Sequence, residues 1–176
     1  MRNEQRIAWA ITGAGHLLAE CADRLLCYER VDVFLSRAAE EVTRMYHLQD
    51  RLQGPGVRIR RETMASSPAV AGFANGVYRV LVVAPATSNS VAKFVYGISD
   101  SLVSNLFAQA GKSRVPIIVL PTDVAPEVDS PGPRGDLIKV YPRPIDLENT
   151  DRLRHFPGVT VVADMEEMAR CLATYL

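Results

Sequence analysis

The chain has 176 residues, of which 48% are hydrophobic, and its 20 basic and 20 acidic side chains give a formal net charge of zero. This length and apolar content are enough for one hydrophobic core. The zero net charge argues against nucleic acid or an anionic membrane as a partner. No apolar run approaches the ~20 residues that a membrane-spanning helix needs.

The start of the chain and the cysteines indicate the cellular compartment. Residues 1–6 lead directly into a short apolar strand, without the apolar segment and cleavage site of a secretory signal. Cys21, Cys27 and Cys171 lie in helix-like stretches and lack the spacing of metal ligands. We therefore expect a cytoplasmic protein with reduced thiols and no bound metal.

Strand-like and helix-like segments alternate along the chain. Apolar runs predict strands over residues 6–13, 31–36, 57–61, 80–84, 115–120 and 159–163, the arginine-rich third one near a sheet edge. Helical spacing predicts helices over residues 16–30, 38–52, 68–76, 88–111 (interrupted near Gly97), 145–156 and 165–176. The alternation predicts a single α/β domain over residues 1–176, doubly wound and Rossmann-like or flavodoxin-like, with three layers and a mainly parallel sheet.

Residues 121–144 depart from this pattern. They contain six of the 11 prolines of the chain, which predicts a loop or arm in which residues 137–141 have strand character. A segment that follows the carboxyl end of a strand is well placed to cover a ligand or to pack on a neighbouring subunit. Arg134 and Lys139 would then be available to meet an acidic group of a substrate, or would be solvated surface charges.

The turn after the first predicted strand suits a phosphate. Gly13 and Gly15 let the backbone approach such a group at the start of a helix. The dinucleotide pattern fails because Leu18 takes the place of its last glycine, and the second strand ends in Ser36 and Arg37 instead of an acid. A mononucleotide therefore fits better than NAD. Arg37 leaves NADP as a minor alternative, beside the reading of Arg37 as a solvated charge.

The turn after the fourth predicted strand concentrates hydrogen-bonding side chains. Thr87, Ser88, Asn89 and Ser90 stand where a purely structural helix start needs one capping residue. Hydroxyl groups, a carboxamide and backbone amides at a helix start suit a planar ligand rich in heteroatoms.

These turns resemble the flavoprotein superfamily of homo-oligomeric FMN-containing cysteine decarboxylases. The signature of that superfamily, approximately P-A-T/S-A-N-T followed by G-I-A-D-x-L, is matched at residues 85–90 and 97–102, with Ser88 and Ser90 as conservative changes. The resemblance spans residues 6–123 and implies bound FMN and trimers that share flavin sites across subunits. The residues that it implies near FMN are Gly13, Ala14, Gly15, Ser36, Ala86, Thr87, Ser88, Asn89, Ser90, Ser99, Asp100, Pro121 and Thr122; Asp100 has a second reading as the cap of a helix from residue 101.

Two departures separate the chain from the decarboxylases. Ala71 stands near the position of their catalytic histidine, and residues 120–127 replace their P-A-M-N-x-x-M-W segment. The whole pattern resembles more closely the archaeal-type flavoproteins, which include acceptor-type dihydromethanopterin reductases. This resemblance implies reduction of a dihydropterin by hydride transfer from reduced FMN, with Asp123, His16 or Tyr96 as the proton donor.

Other functions remain open at this level. An FMN electron-transfer flavoprotein that accepts electrons from a ferredoxin-like donor would have an exposed flavin edge and no enclosed pocket. A decarboxylase or prenyltransferase of the same superfamily is disfavoured by both departures, and a flavin-free nucleotide-binding module would carry no chromophore. For the reductase, the donor would be a ferredoxin-like protein or a reduced flavin or nicotinamide system.

Overall fold

The computed structural model describes residues 5–63 and 68–176. Its strands are β1 (Arg6–Ile11), β2 (Val31–Leu35), β3 (Val57–Arg61), β4 (Tyr78–Ala86), β5 (Ile117–Pro121), β6 (Val128–Pro131), β7 (Leu137–Val140) and β8 (Val159–Val161). Its α-helices are α1 (Leu18–Leu25), α2 (Arg37–Met45), α3 (Ser88–Tyr96), α4 (Leu102–Lys112), α5 (Pro144–Arg154) and α6 (Met165–Ala173), and short 3-10 turns cover Asp50–Leu52 and Pro68–Gly72.

Six of the described strands form one parallel sheet in the order β3-β2-β1-β4-β5-β8. The chain runs outward from β1 to the edge strand β3 and then returns to β4 on the other side of β1. The strand order therefore reverses between β1 and β4, and doubly wound sheets bind their ligands at the carboxyl edge beside such a reversal. The predicted fold class and the edge position of residues 57–61 are confirmed.

Both faces of the sheet are covered, which explains why its central strands are apolar throughout. On β1, Ile7, Trp9 and Ile11 pack against α1, α2 and α6, while Ala8 and Ala10 face the opposite core beneath α3, α4 and α5. All five side chains are buried. Among the described residues, none of the helices combines the length and apolar content that a membrane span requires.

Several predicted helix bounds were wrong because single residues adopt left-handed backbone conformations. Leu17 has a φ of 62°, so α1 begins after it and not at His16. His47, with a φ of 55°, follows the end of α2 at Met45, well before residue 52. An L-residue in this conformation cannot continue a right-handed helix.

The proline-rich segment is a β-hairpin and not an open loop. β6 and β7 pair antiparallel, with Val128 opposite Val140, and the strand expected at residues 137–141 is β7. The Tyr46 hydroxyl of the α2 cap donates to the Pro131 carbonyl at 3.0 Å, which fixes the hairpin to the body of the domain. Lys139 forms an ion pair with Glu127 at 2.5 Å, while Arg134 is exposed near the tip.

A buried ion pair joins β1 to β2 at the amino edge of the sheet. Arg6 Nε lies 2.5 Å from Asp32 Oδ1, and the Tyr78 hydroxyl donates to Asp32 Oδ2 at 2.9 Å. Burial, with a further contribution from the Asp32 carboxylate, raises the pKa of Tyr78. Arg6 also donates to the carbonyls of Val31 and Gly56, so its charge is fully engaged.

Replacement of Asp32 by Asn should lower the free energy of unfolding by ~3–5 kcal/mol, because the buried guanidinium of Arg6 loses its countercharge. Urea denaturation measures this loss. Asp23→Asn is the matched control, since Asp23 pairs with Arg51 on the surface and its side chain is 58% exposed. That control should lose less than ~1 kcal/mol. Equal losses in both variants would contradict a special role of the buried pair.

Candidate functional site

Two cavities meet at Thr87, at the carboxyl edge of the sheet beside the reversal of strand order. The smaller, of about 180 Å³, is lined by Ala14, Gly15, His16, Thr87, Thr122, Asp123, Val128, Ser130 and Val140. The larger, of about 260 Å³, is lined by Thr12, Gly13, Ser36, Arg37, Ala38, Glu62, Thr87, Asn89, Ser90, Lys93 and Ser101. The structure thus brings together ten of the predicted site residues: Gly13, Ala14, Gly15, His16, Ser36, Thr87, Asn89, Ser90, Thr122 and Asp123.

A bigger cavity of about 550 Å³ lies at the opposite edge, around Gln5, Arg79 and Arg114. Size alone would favour it as a ligand site. Parallel α/β sheets, however, bind ligands at the carboxyl ends of their strands, where loop residues and helix N-termini converge. We therefore assign the chemistry to the two cavities that meet at Thr87.

The turn after β1 is tied to the turn after β4 by Thr12. Its buried hydroxyl donates to the Pro85 carbonyl at 2.9 Å and accepts the Thr87 amide at 2.9 Å. The glycines of this turn also have a packing role. A Cβ at Gly13 would lie 2.5 Å from the Ala38 Cβ, and one at Gly15 would overlap the Tyr46 ring.

The four polar residues after β4 make different contacts. Thr87 is the N-cap of α3, and its hydroxyl accepts the Ser90 amide at 3.3 Å and lies 3.1 Å from the Ser90 hydroxyl. Ser88 donates its hydroxyl to the Asp123 carboxylate. Asn89 is exposed at the larger cavity.

Asp123 and His16 both face the smaller cavity. Burial, and then the charge of Asp146, raises the pKa of the half-buried Asp123 carboxyl, while His16 and Arg143 act in the opposite direction. His16 Nδ1 is buried and has no hydrogen-bond partner within the described residues. An orphaned buried nitrogen beside a carboxyl that resists ionisation is typical of a site that binds or protonates a ligand.

Several predicted residues line neither cavity. Ala86 and Pro121 are buried at the ends of β4 and β5. The Ser99 carbonyl accepts Asn105 Nδ2 at 3.0 Å, while Asp100 is exposed and pairs with Lys93 at 2.7 Å, which lowers the Asp100 pKa.

The second reading of Asp100, as a helix cap, was wrong. The cap of α4 is Ser101, through a capping box with Ser104, and not Asp100. Tyr96, the third candidate proton donor, is exposed on α3 under the guanidinium of Arg152, 5.0 Å from its ring centroid, and lines neither cavity.

Glu62, which lines the larger cavity, was not among the predicted site residues. Its carboxylate accepts the backbone amides of Arg37 at 2.9 Å and Leu102 at 2.7 Å, and so joins the first residues of α2 and α4 across the larger cavity. With Ser36 and Thr87 as caps of α2 and α3, three helix N-termini surround this cavity. Helix N-termini attract anions, so the cavity suits a phosphate. An acid directly after an edge strand was the only sequence signal for Glu62.

Known proteins are similar to this chain in structure and in sequence. The crystal structure of Burkholderia xenovorans DmrB in complex with FMN, described as a cubic protein cage for redox transfer, is 39% identical with a TM-score of 0.89, and the match covers 99% of this chain and 96% of that chain. An uncharacterised protein of Methanocaldococcus jannaschii is 34% identical over 97% of this chain and 96% of its own length.

A dihydromethanopterin reductase (acceptor) of Methanosarcina mazei is 44% identical over 159 residues, which are 81% of this chain and 61% of the reductase. The chain thus spans less than two thirds of that relative. The family model named Flavoprotein matches residues 1–174. With nearly its whole length covered by that model and a parallel sheet whose polar turns form two cavities that share Thr87, the chain belongs to the Flavoprotein family.

Proposed function

We propose that this protein is an FMN-dependent dihydromethanopterin reductase, which reduces dihydromethanopterin or a related dihydropterin to the tetrahydro form. One observation carries the proposal. The two cavities that share Thr87 occur in a chain 39% identical to FMN-bound DmrB. The relative from Methanosarcina mazei, named for this reaction, supports the choice of substrate.

The residues at the two cavities fit FMN. The combined volume of the two cavities lies within the ~300–1,000 Å³ that is common for small-molecule sites. The larger cavity offers the start of α3 and the hydroxyls of Ser36, Thr87 and Ser90 to a phosphate and its ribityl chain. The smaller cavity offers the backbone around Gly15, the Thr122 side chain and the orphaned His16 Nδ1 to a heteroatom-rich ring. Ser99, Asp100, Ala86 and Pro121 are left out of the proposed contacts.

Bound in this way, reduced FMN would supply the hydride. The protein must then supply a proton to the nitrogen of the substrate's C=N bond, and Asp123 and His16 are the titratable side chains of the smaller cavity. Val128, Ser130 and Val140 of the hairpin form one wall of this cavity. That wall offers a contact surface to a substrate, which favours the reductase over the electron-transfer alternative, for which an open flavin edge was expected.

We also propose a homo-oligomer, built from trimers that complete the flavin sites, as in the superfamily that the sequence resembles. Leu137, Tyr141 and Ile145, on and after the hairpin, are 73%, 66% and 41% exposed, which is a large apolar surface for a lone subunit. The cage described for DmrB supports assembly of some kind. The proposed electron donor is a ferredoxin-like protein or a reduced flavin or nicotinamide system.

The purified protein should be yellow, and heat denaturation should release FMN, which is identified by its mass. Release is expected because, apart from His16, no described side chain of the two cavities is placed for covalent attachment. After anaerobic reduction of the flavin, addition of dihydromethanopterin should restore the oxidised flavin spectrum. Flavin that stays reduced with dihydropterin, but reoxidises with an electron-transfer protein, would contradict the proposed reductase.

Replacement of Asn89 by Leu should weaken FMN binding about tenfold, the equivalent of about one hydrogen bond. Titration of the apoprotein with FMN, followed by quenching of flavin fluorescence, measures the dissociation constant. Asn75→Leu makes the same exchange at an exposed position away from both cavities and should leave the constant unchanged. Equal constants for both variants would exclude Asn89 from the flavin contacts.

A further inference from the structure

The buried face of α5 is unusually polar. Its buried side chains are Asp146, Asn149, Thr150 and Leu153, so three of the four are polar. A helix that served packing alone would bury an apolar stripe. Thr150 lies against the turn after β5, where its hydroxyl is 3.4 Å from the carbonyl oxygen of Asp123. The polar face is therefore directed at the carboxyl edge of the sheet.

Asp146 is a buried carboxylate that is paired with Arg143. Arg143 donates to it from its backbone amide at 2.9 Å and from its guanidinium at 3.0 and 2.8 Å. These bonds from Arg143 lower the pKa of Asp146, so the group stays ionised although it is 6% exposed. Arg143 itself is largely exposed, and its charge is screened by solvent on the outer side.

Asp123 is the second carboxyl of this region. The charged groups that face it are Asp146 from α5, Arg143 from the residue before α5, and His16 from the turn after β1. The hairpin contributes the uncharged side chains of Val128, Ser130 and Val140 to the shared cavity. Burial and the charge of Asp146 both raise the pKa of Asp123, since a desolvated carboxyl beside a like charge resists ionisation.

The two candidate proton donors differ in how they are held. Ser88, at the start of α3, donates its hydroxyl to the carboxylate of Asp123 and orients it towards the cavity. His16 Nδ1 has no such partner among the residues described. A proton donor in catalysis has to be oriented as well as protonated, which favours Asp123.

We propose that Asp123 is the proton donor of the reduction and that Asp146, on the buried polar face of α5, is its positioning residue. The role rests on the proposed function. Reduced FMN, when bound, would supply a hydride with its electron pair to the imine carbon of the dihydropterin and would be oxidised thereby. The adjacent nitrogen takes the proton from Asp123, whose O–H bond breaks, and solvent later reprotonates the carboxylate.

Carbon-13 NMR of the apoprotein, labelled at the aspartate carboxyls, tests the electrostatic part without flavin or substrate. Asp123→Asn assigns the signal. Asp146→Asn should lower the titration midpoint of Asp123 by about 1 pH unit, because the like charge is gone. Arg143→Gln should shift the midpoint in the opposite direction, since it removes a positive charge. Damage to the cap of α5 would not produce shifts of opposite sign.

Glu148→Gln is the matched control. It removes one negative charge from the same helix, but from an exposed position, and should leave the midpoint of Asp123 unchanged. The proposal would be overturned if Asp123 titrated in the ordinary aspartate range and neither Asp146→Asn nor Arg143→Gln moved its midpoint.

The flavin-loaded protein provides the second readout. The rate at which dihydropterin reoxidises the reduced flavin should fall as the pH rises through the Asp123 midpoint, and in Asp146→Asn this fall should occur at lower pH by the same amount. A pH profile that stays in place despite the NMR shift would overturn the donor role and assign it to His16. Wild-type protein that shows both NMR shifts but reduces no dihydropterin would overturn the proposed function, and with it the donor role, while the coupling of the two carboxyls would stand.

Discussion

The site depends on the hydrogen bonds of one buried hydroxyl. Thr12 follows β1, and its side chain holds both the carbonyl of Pro85 and the amide of Thr87, each at 2.9 Å. Because β1 and β4 are neighbours where the strand order reverses, these bonds fix two turns that are more than 70 residues apart in sequence. Thr87 borders both cavities, so this contact sets the geometry of each of them.

Electrostatics explain why a single phosphate suits the larger cavity. Three helix N-termini meet there, which would leave a strong positive potential in an empty protein. The carboxylate of Glu62 already binds the first amides of α2 and α4. The start of α3 then remains for a ligand anion, beside the capping hydroxyls of Thr87 and Ser90. This arrangement agrees with the mononucleotide expected from the sequence, where the pattern for a dinucleotide fails.

The parts of the fold that could be predicted are those marked by a pattern of neighbouring residues in the sequence. Continuous apolar runs such as Val80–Val83 are typical of strands buried on both faces, and turns rich in serine and threonine mark helix starts. Leu17 and His47 carry no local signal for their left-handed backbone, so the helix bounds near them were wrong. Glu62 was missed because its partners, the amides of Arg37 and Leu102, are brought to it only by tertiary packing. Asp146 was missed because an acid in the first turn of a helix looks like an ordinary helix start.

The residues proposed to bind the cofactor and the segments around the proposed proton donor come from different parts of the chain. The residues that resemble the decarboxylase superfamily end at position 123, and they include all of the described lining of the larger cavity. What surrounds Asp123 on its other sides comes afterwards, from the hairpin of β6 and β7 and from the polar face of α5. A fold can keep its cofactor cradle while later segments change the reaction. Residues 120–127 stand where the resembling decarboxylases carry their substrate clamp, and the hairpin and α5 that follow contribute an uncharged wall and the carboxylate of Asp146. Under the proposed function, this change favours delivery of a proton to the substrate over loss of a carboxyl group as carbon dioxide.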